Sequence, residues 1–184
     1  MVDFRKNSGI VMAEVKAVLD AVENAQVERF VDKVTTASRV FATGEGRSGY
    51  VAKAFAMRLC HLGFDVHVVG EATTPSISPG DLLVAVSGSG ETPVTLHIAK
   101  AANTAGAQIA VVVCDADTSL ARLADAVLVI PGKTKHGKGK PSAQMPGTLF
   151  EQCAWLALDS IVLDLMALRG ESHDGMRRRH ANLE

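Results

Sequence analysis

Two short segments rich in glycine and serine carry most of the side chains that could do chemistry in this chain. The first runs from Gly44 to Gly49 and the second from Ser87 to Thr92. Each follows an apolar β-type run and precedes a segment with helical periodicity, so backbone N–H groups and hydroxyls face outward at the start of a helix. Such an arrangement binds anions. We therefore interpret the two segments as turns that converge on one phosphate-bearing ligand.

The side chains of these two turns suit a small phosphate. Hydroxyl groups can donate hydrogen bonds to its oxygens, and a guanidinium can supply a positive charge. The candidate phosphate-binding residues are Gly46, Arg47, Ser48, Ser87, Ser89 and Thr92. In a plainer interpretation these residues only cap helices and form turns, which explains either turn alone better than it explains both together.

The first turn also fits the spacing of a dinucleotide-binding loop, G-x-G-x-x-G after a strand. Such a site uses an acidic residue near the end of the second strand to hold the ribose hydroxyls, and Glu71 stands near that position. The spacing therefore leaves an NAD site open. A dinucleotide does not require the second, hydroxyl-rich turn, which favours a small phosphate instead.

Strands and helices alternate along the chain behind these turns. Predicted strands are 39–43, 65–69, 82–87, 108–114 and 126–130, and predicted helices are 10–23, 26–35, 50–62, 93–105, 119–123 and 148–168. Crossovers of these lengths form right-handed βαβ units and hence a parallel sheet. We predict an α/β fold, a three-layer doubly wound sheet of five parallel strands in the order 2-1-3-4-5. That order places the strands before the two turns side by side.

Length and composition favour a single domain. The chain has 184 residues, of which 47% are hydrophobic and 4% aromatic, and its net charge is −1. A chain of this size can bury one sizeable core. The near-neutral charge gives no reason to expect binding to nucleic acid or to a membrane, and no apolar run has the length of a membrane span. We expect one cytoplasmic domain over residues 1–184, with N-terminal helices in 1–36 and a polar C-terminal tail at 170–184.

Taken together, the two turns resemble the sugar isomerase (SIS) domain family. Residues 142–152, Ser-Ala-Gln-Met-Pro-Gly-Thr-Leu-Phe-Glu-Gln, and the ending Arg-His-Ala-Asn-Leu-Glu resemble one branch of it, the 6-phospho-3-hexuloisomerases. The resemblance spans nearly the whole chain and implies a flavodoxin-like SIS fold. It also implies a cofactor-free isomerisation that moves a ketone between C3 and C2 of a hexulose 6-phosphate through an enediol, as in the ribulose monophosphate pathway.

A reaction of this kind needs a base near the sugar carbons and a group that manages the oxygen protons. The resemblance places Glu151 in the site as the candidate base. A local alternative is a capping box, in which Glu151 bonds back to Thr148 at the start of the helix. His61 and His180 are the candidates for the oxygen protons, His61 near the end of helix 50–62 and His180 in the tail. His61 lies about three turns from the first turn and is better placed for a neighbour's site than for its own.

Other features bear on partners and metals. Apolar residues cover more than one face of helix 148–168, so part of it is expected to face another subunit, and we expect a homo-oligomer, with a tetramer as its size. The remaining histidines show no metal-ligand spacing, so no metal is expected. A module that binds a phosphosugar without catalysis is the alternative function, since the two turns suffice for binding.

A basic loop precedes the long helix, with five cationic or titratable side chains at Lys133, Lys135, His136, Lys138 and Lys140. We interpret it as a solvated loop, with a lid that attracts the sugar phosphate as the alternative. No aromatic residues interleave with the lysines, which argues against RNA binding.

Overall fold

The computed structural model describes residues 2–132 and 142–183. The predicted basic loop, from Lys133 to Lys140, lies outside the described residues.

Five parallel strands form one sheet, and the predicted order 2-1-3-4-5 is confirmed. The strands are β1 (Val40–Gly44), β2 (Val66–Val68), β3 (Leu82–Val86), β4 (Gln108–Val113) and β5 (Ala126–Val129). The uninterrupted apolar runs of β3 and β4 are explained by burial on both faces of the sheet. β1 pairs with β3 along its whole length, and Gly44 lies opposite Val86. The two strand ends that lead into the glycine-serine turns are therefore neighbours, as predicted.

Helices cover both faces of the sheet. They are α1 (Phe4–Leu19), α2 (Asn24–Thr36), α3 (Gly46–His61), α4 (Pro93–Thr104), α5 (Thr148–Leu168) and α6 (His173–Arg178), with a 3-10 segment at Ala121–Leu123. Apolar residues of α1, α2, α3 and α5 share one core with one face of the sheet, and α4 packs in a second core on the other face. Within the described residues, no helix is long and apolar enough to cross a bilayer.

Two helices begin earlier than the periodicity predicts. α1 begins at Phe4 rather than near residue 10, because the side chain of Asp3 accepts a hydrogen bond from the backbone N–H of Lys6 at 3.0 Å and caps the helix. α3 begins at Gly46 rather than at residue 50, so the first glycine turn is itself the first turn of the helix. The hydroxyl and guanidinium of that turn therefore project from a helix N-terminus.

The end of β1 and the start of α3 approach so closely that neither tolerates a side chain. A Cβ atom added to Gly49 would lie 2.6 Å from the carbonyl oxygen of Gly44, and one added to Gly44 would lie 2.8 Å from that of Val86. Real Cβ contacts of this kind require the backbone to move. The two glycines thus set the angle at which α3 leaves the sheet.

The C-terminal tail packs on its own chain. Arg179 donates through Nη1 to the carbonyl oxygen of His61, the last residue of α3, at 3.1 Å, and to the Glu171 carboxylate at 2.5 Å. The rings of His61 and His180 are in contact, with 4.9 Å between their centroids. The tail is therefore held against the end of α3 of its own chain as far as His180.

The glycine contact predicts a specific loss of stability. Gly49→Ala should lower the free energy of unfolding by about 2 kcal/mol, because the new methyl group meets backbone rather than a flexible side chain. Gly9→Ala is the matched control, since Gly9 lies in α1 and no described atom lies within 4 Å of an added Cβ. That control should be stabilised by about 0.5 to 1 kcal/mol. Equal urea midpoints for the two variants would contradict the packing argument.

Burial of the His61 ring predicts how stability depends on pH. Burial, and then the nearby charges of His180 and Arg58, lower the pKa of His61 from its ordinary value of 6.5. The unfolded chain then binds the proton more tightly, so the contribution of His61 to stability is complete above pH 6.5 and is lost as the pH falls below it. Urea unfolding at several pH values should show a steeper acid loss for the unmodified protein than for His61→Gln. Parallel curves would refute this role of His61.

Candidate active site

The candidate site lies where β1 and β3 end, at the carboxyl edge of the sheet. Gly46, Arg47 and Ser48 form the first turn of α3, where free backbone N–H groups and the helix dipole favour an anion. Ser48 is half-buried and Arg47 is exposed, with 62% of its side chain accessible. The first turn therefore offers amides, a hydroxyl and one guanidinium to the same space.

The second turn gathers three hydroxyls. The Ser87 and Thr92 oxygens are 3.0 Å apart, and the Ser89 and Thr92 oxygens are 3.5 Å apart. Thr92 is the residue before α4, and Pro93 is the first residue of that helix, as predicted. Among the described contacts, Thr92 makes no side-chain cap bond to the helix, because its hydroxyl bonds to the serines instead. The hydroxyls are thus held together at a second helix N-terminus.

The first turn of α5 packs onto the second glycine-serine turn. Phe150 is 3% exposed, and its ring lies so close to Gly88 that a Cβ atom added there would be 2.9 Å from Cδ1 of the ring. Only glycine leaves room for this contact without a shift of the ring or the backbone. The start of α5 is therefore positioned by the same turn that holds the three hydroxyls.

Glu151, the next residue, reaches the other turn. Its carboxylate forms an ion pair and a hydrogen bond with Nε of Arg47. The carboxylate is largely shielded, with a side-chain exposure of 15%. Residues 104 positions apart in sequence are thus in direct contact. The structure brings Glu151 into contact with Arg47 of the first turn, while its neighbour Phe150 packs on Gly88 of the second turn.

The capping-box alternative for Glu151 is wrong. Gly147, with φ at 90°, is the N-cap of α5, and Thr148 is already the first helical residue. Thr148 therefore cannot act as the capping side chain that the pattern requires. The carboxylate of Glu151 is left to contact Arg47.

His61 and His180 lie together, but at the far end of α3. Because a helix rises about 1.5 Å per residue, Ser48 near the start of α3 and His61 at its end lie roughly 20 Å apart. His61 is only 6% exposed, whereas His180 is exposed on its outer side. Within one chain, the two histidines therefore do not join Glu151 and the glycine-serine turns.

Glu14, which no motif singled out, contacts the segment that precedes α5. Glu14 on α1 accepts three hydrogen bonds from Ser142, Ala143 and Gln144, just before α5. It lies between Val11, Val15 and Val18, the apolar stripe that faces the core. A carboxylate on such a face is costly unless it has partners, and this pattern could have marked it in the sequence.

The carboxylate of the second glycine-serine turn bonds to a different part of the chain. Glu91, in the second turn, accepts a hydrogen bond from the backbone N–H of Ser119 at 2.7 Å, and this bond lowers the pKa of Glu91. Over residues 2–132 and 142–183, no group of three or more His, Cys, Asp and Glu side chains is placed to hold a metal ion. The chemistry that the described site offers is thus hydroxyl and amide binding of an anion beside one carboxylate.

Comparisons with known proteins find relatives that match most of the chain. The 3-hexulose-6-phosphate isomerase of Mycobacterium gastri is 41% identical over 184 residues, which cover 99% of this chain and 92% of that protein. The enzyme of the same name from Bacillus subtilis is 38% identical over 166 residues, or 89% of each chain.

A solved structure is similar over the same extent. It belongs to a hypothetical protein from Methanococcus jannaschii for which a function as 3-hexulose-6-phosphate isomerase was inferred, with 32% identity and a TM-score of 0.85. The match covers 97% of this chain and 99% of that one. Residues 33–147 match the model of the SIS domain, a span that begins in α2 and includes both glycine-serine turns. The chain therefore belongs to the SIS domain family.

Proposed function

We propose that this protein is a 6-phospho-3-hexuloisomerase, which interconverts D-arabino-hex-3-ulose 6-phosphate and fructose 6-phosphate. The observation that carries the proposal is the position of Glu151, in contact with Arg47 of the first turn while Phe150 packs on Gly88 of the second. The first turn of α5 thus contacts both anion-binding turns, and its carboxylate contacts the first of them. The choice of sugar rests on the names of the relatives that match nearly the whole chain.

The phosphate of the sugar would be held by the two turns. Ser48, Ser87, Ser89 and Thr92 would donate through their hydroxyls, and Gly46 would contribute backbone N–H at the start of α3. Arg47 would add the positive charge. With the phosphate fixed at C6, the sugar carbons extend toward the start of α5, where Glu151 lies.

Glu151 would act as the carbon base. It takes the proton from C2 of the 3-hexulose, and the C2–H electrons form the C2=C3 double bond of an enediolate whose charge rests on the C3 oxygen. That oxygen is protonated, the C2 hydroxyl gives up its proton, and Glu151 returns a proton to C3. The ketone is then at C2. Oxidation at one carbon balances reduction at the next, so no cofactor is needed.

The oxygen protons would be managed by a histidine of a neighbouring subunit. His61 and His180 lie roughly 20 Å along α3 from Ser48 of their own chain. His180 is exposed and His61 lies behind it, so we propose that His180 makes the contact and His61 supports its ring. Arg179 fixes the tail from which His180 projects.

Association of subunits is supported by the outer face of α5. Trp155, Leu156 and Leu163 are 43%, 43% and 66% exposed, although they lie in a strongly apolar helix. Apolar side chains grouped on one exposed helix face are typical of a surface that another chain covers. We propose a homo-oligomer, with a tetramer as its expected size. Its sugar phosphate substrates are metabolites of the cytoplasm, where we propose that it acts.

The site of proton transfer gives the most direct test of the reaction. Fructose 6-phosphate incubated with the enzyme in heavy water should exchange the hydrogen on C3, and NMR should show this exchange. An isomerase that works between C1 and C2 would exchange a hydrogen on C1 instead. Exclusive exchange at C1 would reject the assigned reaction, and binding of fructose 6-phosphate without turnover or exchange would support a sensor.

The role of Glu151 is tested by removal of its charge. Glu151→Gln should lower kcat by about 10³-fold, the usual contribution of a general base, while inorganic phosphate still binds. Affinity for phosphate should remain or rise slightly, because Arg47 is released from its ion pair. Glu28→Gln is a matched control: Glu28 is exposed on α2, outside both turns, and the variant makes the same change of charge. Its kcat should stay within about threefold. If Glu151→Gln loses phosphate affinity as strongly as turnover, the residue is structural.

A further inference from the structure

We propose that Glu14 is a positioning residue for this active site. From α1 it fixes the segment Ser142–Gln144, and it thereby sets the position of the start of α5 and of Glu151. The inference rests on the proposed function, because it assigns to Glu14 an effect on the geometry of the base. The Glu14 carboxylate has three hydrogen-bond partners in a segment that is far away in sequence.

The contacts of Glu14 converge on one short stretch. Its Oε1 accepts from the backbone N–H of Ala143 at 2.8 Å, and its Oε2 accepts from the Ser142 hydroxyl at 2.9 Å and from Nε2 of Gln144 at 3.0 Å. The Ser142 hydroxyl oxygen also accepts from the backbone N–H of Gln144 at 3.0 Å, which closes a local turn. All three residues are therefore fixed to one point on α1.

Few residues separate the turn that Glu14 fixes from the candidate base, Glu151. The backbone N–H of Thr148 donates to the carbonyl oxygen of Met145 at 3.1 Å, so the chain turns again directly after Gln144. Gly147 lies within this turn, immediately before Thr148. A Cβ atom added to Gly147 would lie 3.4 Å from Oε1 of Glu151. The backbone at Gly147 thus forms one wall of the space that the Glu151 carboxylate occupies.

Apart from a long bond from the Cys153 thiol to the carbonyl oxygen of Val15 at 3.9 Å, the described contact between α1 and α5 is apolar packing, which is less specific in direction. Val15 belongs to the same core as Cys153 and Ala157, and such packing resists separation more than sliding along the helices. Hydrogen bonds to a charged group have defined geometry and are stronger than neutral ones. The bonds from Ala143, then Gln144 and Ser142, lower the pKa of Glu14, so the carboxylate keeps its charge under working conditions. Glu14 therefore fixes the register of the segment before α5.

The test compares Glu14→Gln with Asp81→Asn, which makes the same carboxylate-to-amide change elsewhere. Asp81 is 2% exposed and accepts bonds from Arg39 and Ser78 immediately before β3, at the opposite end of the sheet from the site. Both variants should lose stability. Only Glu14→Gln should also lower kcat, by about tenfold to a hundredfold per folded molecule, with KM changed by less than about twofold.

Two further measurements keep the outcome decisive. If Glu14→Gln does not fold, Ser142→Ala removes one donor without altering α1, and it should lower kcat in the same direction by a smaller factor. Hydrogen exchange provides a readout that does not require turnover: the amide of Glu151, bonded to the carbonyl oxygen of Gly147, should exchange about tenfold faster in Glu14→Gln and not in Asp81→Asn.

The possible results distinguish a failure of the positioning role of Glu14 from a failure of the proposed isomerase function. An active wild-type enzyme whose Glu14→Gln or Ser142→Ala variant keeps full kcat overturns the positioning role and leaves the proposed function intact. A wild-type protein without isomerase activity overturns the proposed function, and the exchange of the Glu151 amide then decides whether Glu14 still positions the start of α5.

Discussion

The site depends on one packing contact, the ring of Phe150 against Gly88. This contact brings the start of α5, near the end of the chain, onto a turn in its middle, and the adjacent Glu151 then meets Arg47 of the first turn. The start of α5 therefore contacts two segments that are widely separated from it in sequence. Strand pairing between β1 and β3 makes this possible, because it places the two turns side by side.

Much of the fold could be predicted because it follows from local patterns. The alternation of apolar β-type runs with helical periodicity predicts a parallel sheet, and the order 2-1-3-4-5, which is confirmed, is a common solution for such sheets. Helix starts were predicted less well. Asp3 extends α1 by a cap that lies outside the apolar repeat, and the glycines of the first glycine-serine turn, which have poor helix propensity, hide the start of α3 in the sequence.

The site itself was predictable only as a set of residues. The motifs marked the hydroxyls, Arg47 and Glu151, but the local pattern at Thr148 and Glu151 was equally compatible with a capping box. Gly147 at the N-cap removes that possibility, and no local rule could have chosen between the two outcomes. The position of Glu14 on an apolar helix face indicates that its carboxylate needs partners. The partners themselves could not be predicted, because they lie 128 to 130 residues further along the chain. Long-range polar contacts leave little trace in a single sequence.

The hydroxyl cluster of the second turn has a consequence for how such a site behaves in the cell. Ser87, Ser89 and Thr92 carry no charge, and they already bond to one another, so they are oriented before a ligand arrives. Neutral donors are affected little by screening, since dissolved ions weaken attraction between charges more than bonds between dipoles. Since Arg47 is the only residue of these two turns that adds positive charge, a sugar phosphate held here would be released readily after reaction, and its capture would tolerate wide changes in ionic strength.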